Sequence, residues 1–206
     1  YAISSVNIVN TGNYYCLVTN SCGSVQSSIK ALTVNAPVTI TSQPSGATIC
    51  KNQGVTFSIN TSGSQPITYQ WYKGSAISGA INNIYTLNSV TTSDAGGYYC
   101  VVSNACTTSL SSNTATLAVN EPPVITAQSG SATKCVGQSQ TFSITATGTP
   151  TPTLQWYKDS IAISGATFAI LQINNIIATN AGNYYCIVTN SCGTVQSSIK
   201  VLTVNT

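Results

Sequence analysis

Short stretches in which apolar and polar residues alternate recur along the chain. Val55, Phe57 and Ile59 are each separated by one polar residue, and Phe142 and Ile144 repeat this spacing. A period of two places the apolar side chains on one face, as in a β-strand with one buried side. Breaks rich in Gly, Ser and Asn separate these stretches, and no segment keeps the period of an amphipathic helix. The pattern predicts an all-β fold, a sandwich of short strands.

One segment occurs three times in the sequence. Residues 12–35 and 182–205 differ at only three of 24 positions, and residues 96–120 are a looser copy. The offset between the outer copies is 170 residues, with the middle copy about halfway, which gives a module of about 85 residues. The outer copies resemble each other more closely than either resembles the middle one. We therefore interpret the chain as part of an alternating array whose larger period is two modules.

Module boundaries follow from the ending that the copies share. Each copy ends in Val-Asn, and after residues 35 and 120 comes a short segment with proline, which stiffens a linker. The predicted modules are residues 36–120 and 121–206, and residues 1–35 form the second half of another module. We expect this half-module to be a fragment of a longer array. Its completion by strand exchange with a partner chain is the alternative.

Charged residues make up 4% of the chain, against ~25% in average soluble domains. Histidine is absent, and the three acids Asp94, Glu121 and Asp159 lie far apart in the sequence. General acid–base catalysis therefore has almost no side chain to perform it, and a carboxylate metal cage lacks clustered oxygen ligands. The sequence also lacks a Cys-x2-Cys pair, the usual spacing of zinc ligands. We predict a chain that is not an enzyme, with no catalytic residue, no cofactor and no metal.

The few charges also narrow the range of partners. Six scattered lysines form no basic stripe for nucleic acid, although the formal net charge is +3. No apolar run approaches the ~18–20 residues of a membrane-spanning helix, so membrane insertion is not expected. Thr, Ser and Asn together account for more than a third of the residues. Hydroxyl and amide groups, rather than charges, are therefore expected to solvate the surface.

The sequence around the tryptophans and the repeated cysteines resembles immunoglobulin-type domains. Trp71 takes the position of the strand-C core tryptophan, and Asp94-Ala-Gly-Gly-Tyr98-Tyr-Cys100 fits the strand-F pattern Asp-x-Gly-x-Tyr-x-Cys. The resemblance implies tandem immunoglobulin-like β-sandwich modules in a linear array, in which residues 1–35 supply strands E–G. It also implies a set of core residues, the two tryptophans and the tyrosines two positions before each strand-F cysteine: Trp71, Trp156, Tyr14, Tyr98 and Tyr184.

The cysteines depart from the immunoglobulin pattern. Ile59 and Ile144 stand where the strand-B cysteine belongs, twelve residues before each tryptophan, so the usual bridge between the sheets cannot form. The cysteines that precede strand B, here called entry cysteines, are Cys50 and Cys135. Those in the F–G turn, here called turn cysteines, are Cys22, Cys106 and Cys192. This arrangement resembles tandem immunoglobulin-like repeats of very large surface and secreted proteins of Bacteroidota, typically adhesins, fibres or appendages of exoenzymes.

Each full module contains three cysteines, so at least one of them is free or bonds outside its module. In the implied topology Cys50 and Cys106 lie at opposite poles, about 23 Å apart along a seven-residue strand, whereas a disulfide allows ~6 Å between Cα atoms. We therefore expect a Cys50–Cys192 disulfide between modules. Cys135 would pair with the turn cysteine of a following module, and Cys106 with an entry cysteine outside this sequence. Pairing with Cys100 inside a module is the alternative. The strand-F cysteines are expected to be buried free thiols: Cys16, Cys100 and Cys186.

These features predict a function outside the cell. Disulfides persist in oxidising compartments, which indicates an extracellular or cell-surface location. We interpret the chain as a non-catalytic structural segment of a filament or adhesin stalk, since modules that contact mainly their neighbours form a linear array. The partners would be neighbouring modules and other copies of the chain, with outward Tyr15, Tyr99 and Tyr185 as lateral contacts. The alternatives are a module whose loops bind a glycan or a host surface protein, and a spacer attached to a secreted enzyme.

One short motif suggests a modification. Asp159-Ser160-Ile161 resembles the O-glycosylation motif of Bacteroidota, which implies a sugar on Ser160. An ordinary turn between two strands is the alternative interpretation of these three residues.

Overall fold

A computed structural model describes residues 1–206, and short β-strands dominate it. The first eleven strands are β1 (Gly12–Tyr14), β2 (Leu17–Asn20), β3 (Gly23–Gln26), β4 (Lys30–Leu32), β5 (Thr39–Ser42), β6 (Ala47–Cys50), β7 (Val55–Ser58), β8 (Asn60–Ser62), β9 (Thr68–Lys73), β10 (Ser75–Ala76) and β11 (Ile84–Leu87). The other eleven are β12 (Gly96–Asn104), β13 (Thr107–Ser111), β14 (Ala115–Gln128), β15 (Ala132–Cys135), β16 (Gln140–Thr149), β17 (Thr153–Lys158), β18 (Ile161–Ala162), β19 (Ile170–Ile173), β20 (Gly182–Asn190), β21 (Gly193–Gln196) and β22 (Lys200–Asn205).

The helical segments are three 3₁₀ turns of three residues each, Ile8–Asn10, Thr92–Asp94 and Ala178–Asn180. None of them has the length or the apolar run that crossing a bilayer requires. The predicted all-β fold is therefore confirmed.

The strands form two compact units. Unit 1 contains residues 1–47, 56–86 and 96–116, and unit 2 contains residues 48–55, 87–95 and 117–206. Within unit 2, β6 pairs with β14, which explains why the residues around Cys50 group with the later part of the chain. The module boundaries at residues 35 and 120 stay a prediction.

The core of unit 1 forms where β9 and β12 lie side by side. These strands are antiparallel, with Trp71 opposite Cys100 and Tyr72 opposite Tyr99. β10 pairs with β9, and β13 pairs with β12. Alternate residues of β12 are buried, as the two-residue period predicts. Trp71 is fully buried, and its Nε1–H donates to the carbonyl oxygen of Asn82 at 2.9 Å, which satisfies the polar atom of the ring.

Unit 2 contains a sheet in the order β15–β22–β20–β17–β18, with β21 paired to β20. β15 runs parallel to β22, and β16 pairs with both β14 and β19. The ring of Phe142 on β16 lies 6.3 Å from that of Trp156 on β17 and 5.1 Å from that of Tyr184 on β20. The core of this unit therefore lies between the two groups of strands. Its buried residues are Phe142, Ile144, Trp156, Leu171, Ile176, Tyr184, Cys186, Val188 and Leu202.

Two of the tyrosines that precede strand-F cysteines close a turn by a hydrogen bond. Tyr184 Oη donates to the carbonyl oxygen of Asn180 in unit 2, and Tyr14 Oη donates to that of Asn10 in unit 1, both at 2.8 Å. Each acceptor residue ends a 3₁₀ turn. Burial raises the pKa of Tyr184, which further favours the protonated hydroxyl that donates this hydrogen bond. Tyr14, which the sequence places in the core, is half-buried.

Candidate functional site: a disulfide and its unpaired equivalents

One disulfide joins two of the predicted cysteines. Cys50 and Cys192 are bonded, with their Cα atoms 5.5 Å apart, although 142 residues separate them in the sequence. Both belong to unit 2. Cys50 ends β6, and Cys192 lies in the turn between β20 and β21. The bond therefore connects the entry cysteine of the predicted module 36–120 to the turn cysteine of the predicted module 121–206.

Hydrogen bonds hold the chain at Cys50. The N–H of Cys50 donates to Oε1 of Gln53 at 3.1 Å, and the N–H of Lys51 donates to the carbonyl oxygen of Asn120 at 2.8 Å. The ammonium group of Lys51 also lies 3.8 Å from the carboxylate of Glu121, but both side chains are exposed. An exposed ion pair contributes only ~0–1 kcal/mol. The amide hydrogen bonds, rather than the charges, therefore position this half of the disulfide.

A single amide side chain holds the turn at Cys192. Oδ1 of Asn190 accepts the N–H of Cys192 at 2.8 Å. Its Nδ2 donates to the carbonyl oxygens of Glu121 and Pro150 at 2.8 and 3.0 Å. The amide thus ties the turn to the beginning of the predicted module 121–206. None of these hydrogen bonds involves sulfur, so reduction of the disulfide does not by itself remove any of them.

The same two arrangements recur at unpaired cysteines, all of them exposed. The N–H of Cys135 donates to Oε1 of Gln138 at 2.9 Å, as the N–H of Cys50 does to Gln53. The N–H groups of Cys22 and Cys106 donate to asparagine Oδ1 atoms two residues earlier, at 2.9 and 3.0 Å. The partners that the sequence suggests for Cys135 and Cys106 lie outside residues 1–206, and these pairings stay predictions.

The supporting amide side chains are residues that the sequence interpretation missed. A glutamine follows each entry cysteine by three positions, Gln53 and Gln138. An asparagine precedes each turn cysteine by two positions, Asn20, Asn104 and Asn190. The constant spacing between each cysteine and its amide residue was the signal in the sequence that could have identified these supporting side chains. It was not decisive because an asparagine in a turn commonly bonds only to its own neighbouring backbone, which needs no distant partner.

Cys100 and Cys186 are fully buried free thiols. Each lies opposite a tryptophan on the neighbouring strand, Cys100 opposite Trp71 and Cys186 opposite Trp156. Burial disfavours the charged thiolate, which raises the pKa of Cys100 to about 11 and also raises the pKa of Cys186. Both thiols are therefore protonated and unreactive at neutral pH.

Cys16 is exposed, so the prediction that it is buried is wrong. Its hairpin, β2 with β3, has the same register as β20 with β21. Cys186 is buried because it packs in a core with Phe142, Trp156 and their neighbours. Residues 1–35 contain no counterpart of these two aromatic residues. Burial at this position therefore depends on strands outside the repeated segment.

We expect three classes of cysteine in a labelling experiment. In the native protein without reductant, the exposed thiols react with iodoacetamide: Cys16, Cys22, Cys106 and Cys135. Cys100 and Cys186 should react only after unfolding, because burial keeps reagent out and raises the thiol pKa. Cys50 and Cys192 should react only after reduction. Labelling at mildly alkaline pH, with and without guanidinium chloride, followed by peptide mass spectrometry, identifies the cysteines that react under each condition. Labelling of Cys100 in the native protein would contradict this expectation.

A stacked pair of tyrosines faces away from the core in each unit. In unit 1, Tyr72 and Tyr99 are cross-strand neighbours with ring centroids 5.1 Å apart and planes 7° apart. In unit 2, Tyr157 and Tyr185 are also 5.1 Å apart, with planes 2° apart. All four alternate with buried residues along their strands. Tyr15, the third predicted lateral contact, is exposed. A flat aromatic surface therefore recurs on both units.

Ser160 lies at the tip of the hairpin between β17 and β18. Asp159 and Ser160 both have positive φ, 46° and 70°, and Lys158 is paired with Ile161 across the hairpin, as in a two-residue type I′ turn. The carboxylate of Asp159 accepts the N–H of Asn183 at 2.8 Å and the Nζ–H of Lys158 at 2.7 Å. Ser160 is exposed, and its O-glycosylation stays a prediction.

Protonation of Asp159 should weaken the hydrogen bond between its side chain and the N–H of Asn183, whereas the backbone pairing of β17 with β20 stays in place. The N–H of Asn183 and then the ammonium of Lys158 lower the pKa of this carboxyl below its usual range. Because the folded-state pKa is depressed, the stabilisation is present above the unfolded pKa of ~3.9 and is lost as the pH falls through the lower folded value. An NMR titration of the Asn183 amide proton measures the midpoint of the Asp159 ionisation. The variant Asp159→Asn is the control, because its side chain does not titrate. A midpoint at or above ~3.9 would contradict the expectation.

The three acids lie in separate local environments. Asp94 accepts the N–H and the hydroxyl of Thr91, both at 2.8 Å, whereas Glu121 lies near Lys51 and Asp159 near Lys158. No three Cys, Asp or Glu side chains come together as a set of metal ligands. The chemistry that the site offers is thiol–disulfide chemistry together with aromatic contact.

Comparison with known proteins adds a family context to this geometry. A family model described as "Immunoglobulin domain" matches residues 37–104 and 122–190. Human hemicentin-1 is 31% identical over an alignment of 219 positions, which covers 97% of this chain and 4% of that protein. The cell adhesion molecule Dscam1 of Drosophila melanogaster is 27% identical over an alignment of 214 positions, which covers 97% of this chain and 11% of that protein. The chain therefore spans only a small part of the length of these relatives.

A solved structure has the same architecture. The I-band fragment I67-I69 from titin is 25% identical and superposes with a TM-score of 0.71, covering 82% of this chain and 66% of that chain. These similarities confirm the predicted fold of tandem immunoglobulin-like domains. One of the three proteins is by name a cell adhesion molecule, and none is named as an enzyme.

Proposed function

Because this chain belongs to the immunoglobulin domain family, we propose that it is a non-catalytic structural segment of an extracellular filament or cell-surface adhesin stalk. A disulfide between successive modules stiffens this segment. The observation that carries the proposal is the Cys50–Cys192 bond, which joins two sequence repeats through cysteines that the immunoglobulin pattern does not contain. A covalent bond across a module boundary restricts bending at that boundary, which is the property that a stalk requires.

Three further observations support a structural role. The relatives contain similar segments as 4% and 11% of much longer proteins, as expected for part of an array. The chain has only six lysines and three acids, so electrostatic repulsion between parallel copies is weak. The tyrosine pairs Tyr72–Tyr99 and Tyr157–Tyr185 offer lateral contact surfaces, since tyrosine is enriched in protein interfaces. We propose other copies of the chain as the lateral partners.

The extracellular location rests on disulfide chemistry. Disulfides persist in oxidising compartments and are rare where thiols are kept reduced. The relationship to Dscam1, by name a cell adhesion molecule, supports a cell-surface setting. Hemicentin-1 and Dscam1 come from animals, and a Bacteroidota source, which the cysteine arrangement suggests, stays a prediction.

Electron microscopy of the purified native material tests the proposal. We expect filaments with a repeat of one or two modules, and bending that increases when a mild reductant cleaves the Cys50–Cys192 bond. The double substitution Cys50→Ser and Cys192→Ser should reproduce this bending without reductant, and Cys16→Ser is the matched control, because it removes an exposed free thiol and leaves the bond intact. Isolated flexible strings that bind a glycan or a host surface protein through residues 63–67 or 148–153 would instead favour the binding module. Co-purification with a catalytic domain would favour the spacer.

A further inference from the structure

The strand β19 lies at a free edge of a sheet in unit 2. It is the last strand of its sheet and pairs only with β16. In the immunoglobulin sandwich one sheet contains strands A, B, E and D, so strand D covers the outer edge of strand E. Here β16 and β19 take the positions of strands B and E, and residues 163–169, between β18 and β19, form no strand. The edge that strand D would cover is therefore open.

The backbone groups of two residues point out of this edge. Ser143 lies opposite Ile170, but its N–H donates to Oγ of Ser129 at 3.0 Å, and its carbonyl oxygen accepts the N–H of Ser129 at 2.9 Å. Because Ser143 uses both groups on the side away from β19, it forms no backbone hydrogen bond with Ile170. Bonded and non-bonded pairs alternate in an antiparallel ladder, so Gln172 is placed like Ile170. The N–H and C=O groups of Ile170 and Gln172 therefore face outward.

This edge lacks the features that commonly prevent pairing between edge strands. Residues 160–199 contain no charged side chain, and no proline follows residue 152. The register between β16 and β19 contains no bulge. Ile170 on the strand and Phe168 just before it are 60% and 74% exposed. Because lysine, proline and bulges are the usual protection of an edge strand, this uncharged, regular and apolar edge is suited to accept another strand.

We propose that β19 pairs in antiparallel orientation with β19 of a second copy of the chain, about a two-fold axis at Leu171. Ile170 of each copy then faces Gln172 of the other, and each of these two pairs forms two N–H···O=C hydrogen bonds. A second copy is the occupant because its own β19 supplies matching outward donors and acceptors and adds no like charge. The inference rests on the proposed function in taking other copies of the chain as lateral partners, and it assigns them a surface separate from the tyrosine pairs.

The equivalent strand of unit 1, β11, provides an internal control. It also pairs with one strand only, β7. The carbonyl oxygens of Asn82 and Phe168 each accept the Nε1–H of the buried tryptophan in their unit, so these two residues are equivalent. Ile84 therefore corresponds to Ile170 and is 50% exposed. We expect the pairing at β19, because Asn82 offers a partner less apolar surface at β11 than Phe168 offers at β19.

Sedimentation equilibrium of the whole chain over a range of concentrations tests the pairing. The exposed thiols are first alkylated with iodoacetamide, so that disulfides cannot join the copies. We expect a reversible monomer–dimer equilibrium, and Ile170→Lys should raise its Kd about tenfold or more, because the two-fold axis brings the two new ammonium groups onto adjacent strands. Ile84→Lys makes the same change on β11 and should leave the Kd unchanged. Equal effects of the two variants, or a chain that stays monomeric at every concentration, would overturn the proposal.

A proline variant tests whether the main chain forms the contact. Gln172→Pro removes an N–H group that faces outward and keeps the hydrogen bonds between β19 and β16, as is tolerated in an edge strand. It should also raise the Kd about tenfold or more, whereas Gln172→Ala keeps the N–H group and should have little effect. Far-UV circular dichroism of each variant verifies that its strands are retained. A Kd that Gln172→Pro leaves unchanged would show that β19 does not pair through its backbone.

Amide hydrogen exchange followed by NMR measures the register. In dilute solution the amides of Ile170 and Gln172 should exchange rapidly, and those of Leu171 and Ile173, which face β16, should exchange slowly. At high concentration the amides of Ile170 and Gln172 should slow about tenfold or more. Association through the tyrosine pairs alone would leave them fast and would refute the edge pairing. Filaments without this protection likewise refute only the edge pairing, whereas protected dimers without filaments refute the proposed function and not the pairing.

Discussion

Replacing Cys50 and Cys192 by alanine should lower the free energy of unfolding by about 2–5 kcal/mol. The disulfide closes a loop across 142 residues, so its removal frees the unfolded chain to sample conformations that the bond forbids. For a loop this long the chain-entropy model gives about 5 kcal/mol, and native disulfides commonly contribute ~2–4 kcal/mol. The folded state should change little, because Gln53 and Asn190 hold the two turns without the sulfur atoms.

Urea denaturation, followed by the fluorescence of Trp156 in a Trp71→Phe background, measures this loss. The matched control replaces Cys106 and Cys135 by alanine, which removes two exposed thiols and leaves the disulfide intact. Its effect should stay within about 0.5 kcal/mol, as for most surface substitutions. Reductant added to the unsubstituted chain should reproduce the effect of the double alanine variant. Equal losses in the variant and its control would show that the disulfide does not stabilise the chain.

Trp156→Ala should destabilise the protein by about 3–5 kcal/mol. The side chain is 2% exposed and packs against Phe142 in the core of unit 2. Its Nε1–H donates to the carbonyl oxygen of Phe168 at 2.9 Å. Truncation therefore removes apolar contacts, leaves a cavity that neighbouring strands fill only in part, and strips a carbonyl group of its hydrogen-bond donor.

Tyr157→Ala is the matched control for this substitution, because it truncates the next aromatic residue on the same strand. Tyr157 stacks on Tyr185 on the side away from the core, and the loss of an aromatic pair costs ~0.5–1.5 kcal/mol beyond the buried area. Urea midpoints with near-UV circular dichroism measure both variants. If the two substitutions cost the same, Trp156 is not a core residue and the assignment of inner and outer faces is wrong.

The strands and much of the core were predictable from neighbouring residues. The alternation at Phe57 and at Phe142 places both rings inside, where they are fully buried. Trp71 and Trp156, expected in the core, are buried as well. Local pattern suffices for these residues because successive side chains of a strand point to opposite faces whatever the strand pairs with.

The contacts around the disulfide were less accessible to prediction. The entry and turn cysteines form separate classes in the sequence, and this separation suggested a Cys50–Cys192 bond while leaving pairing with Cys100 open. The role of Asn190 could not be derived, because its amide reaches the carbonyl oxygens of Glu121 and Pro150, which are distant in the sequence. A side chain with both donors and acceptors is compatible with many partners until the fold brings particular ones within hydrogen-bond distance.

A comparison of residues 12–35 with residues 182–205 shows which features follow from the sequence alone and which depend on the tertiary structure. Their near-identical sequences give the same hairpin with the same register in both copies. Yet Val18 is 60% exposed and Val188 is fully buried. Strand formation and turn geometry depend on neighbours along the backbone, so the sequence alone determines them. Burial requires apolar side chains from strands far away in the sequence to cover the same face, as Phe142 and Trp156 do in the core that contains Val188, so it is decided by the tertiary structure and not by the segment itself.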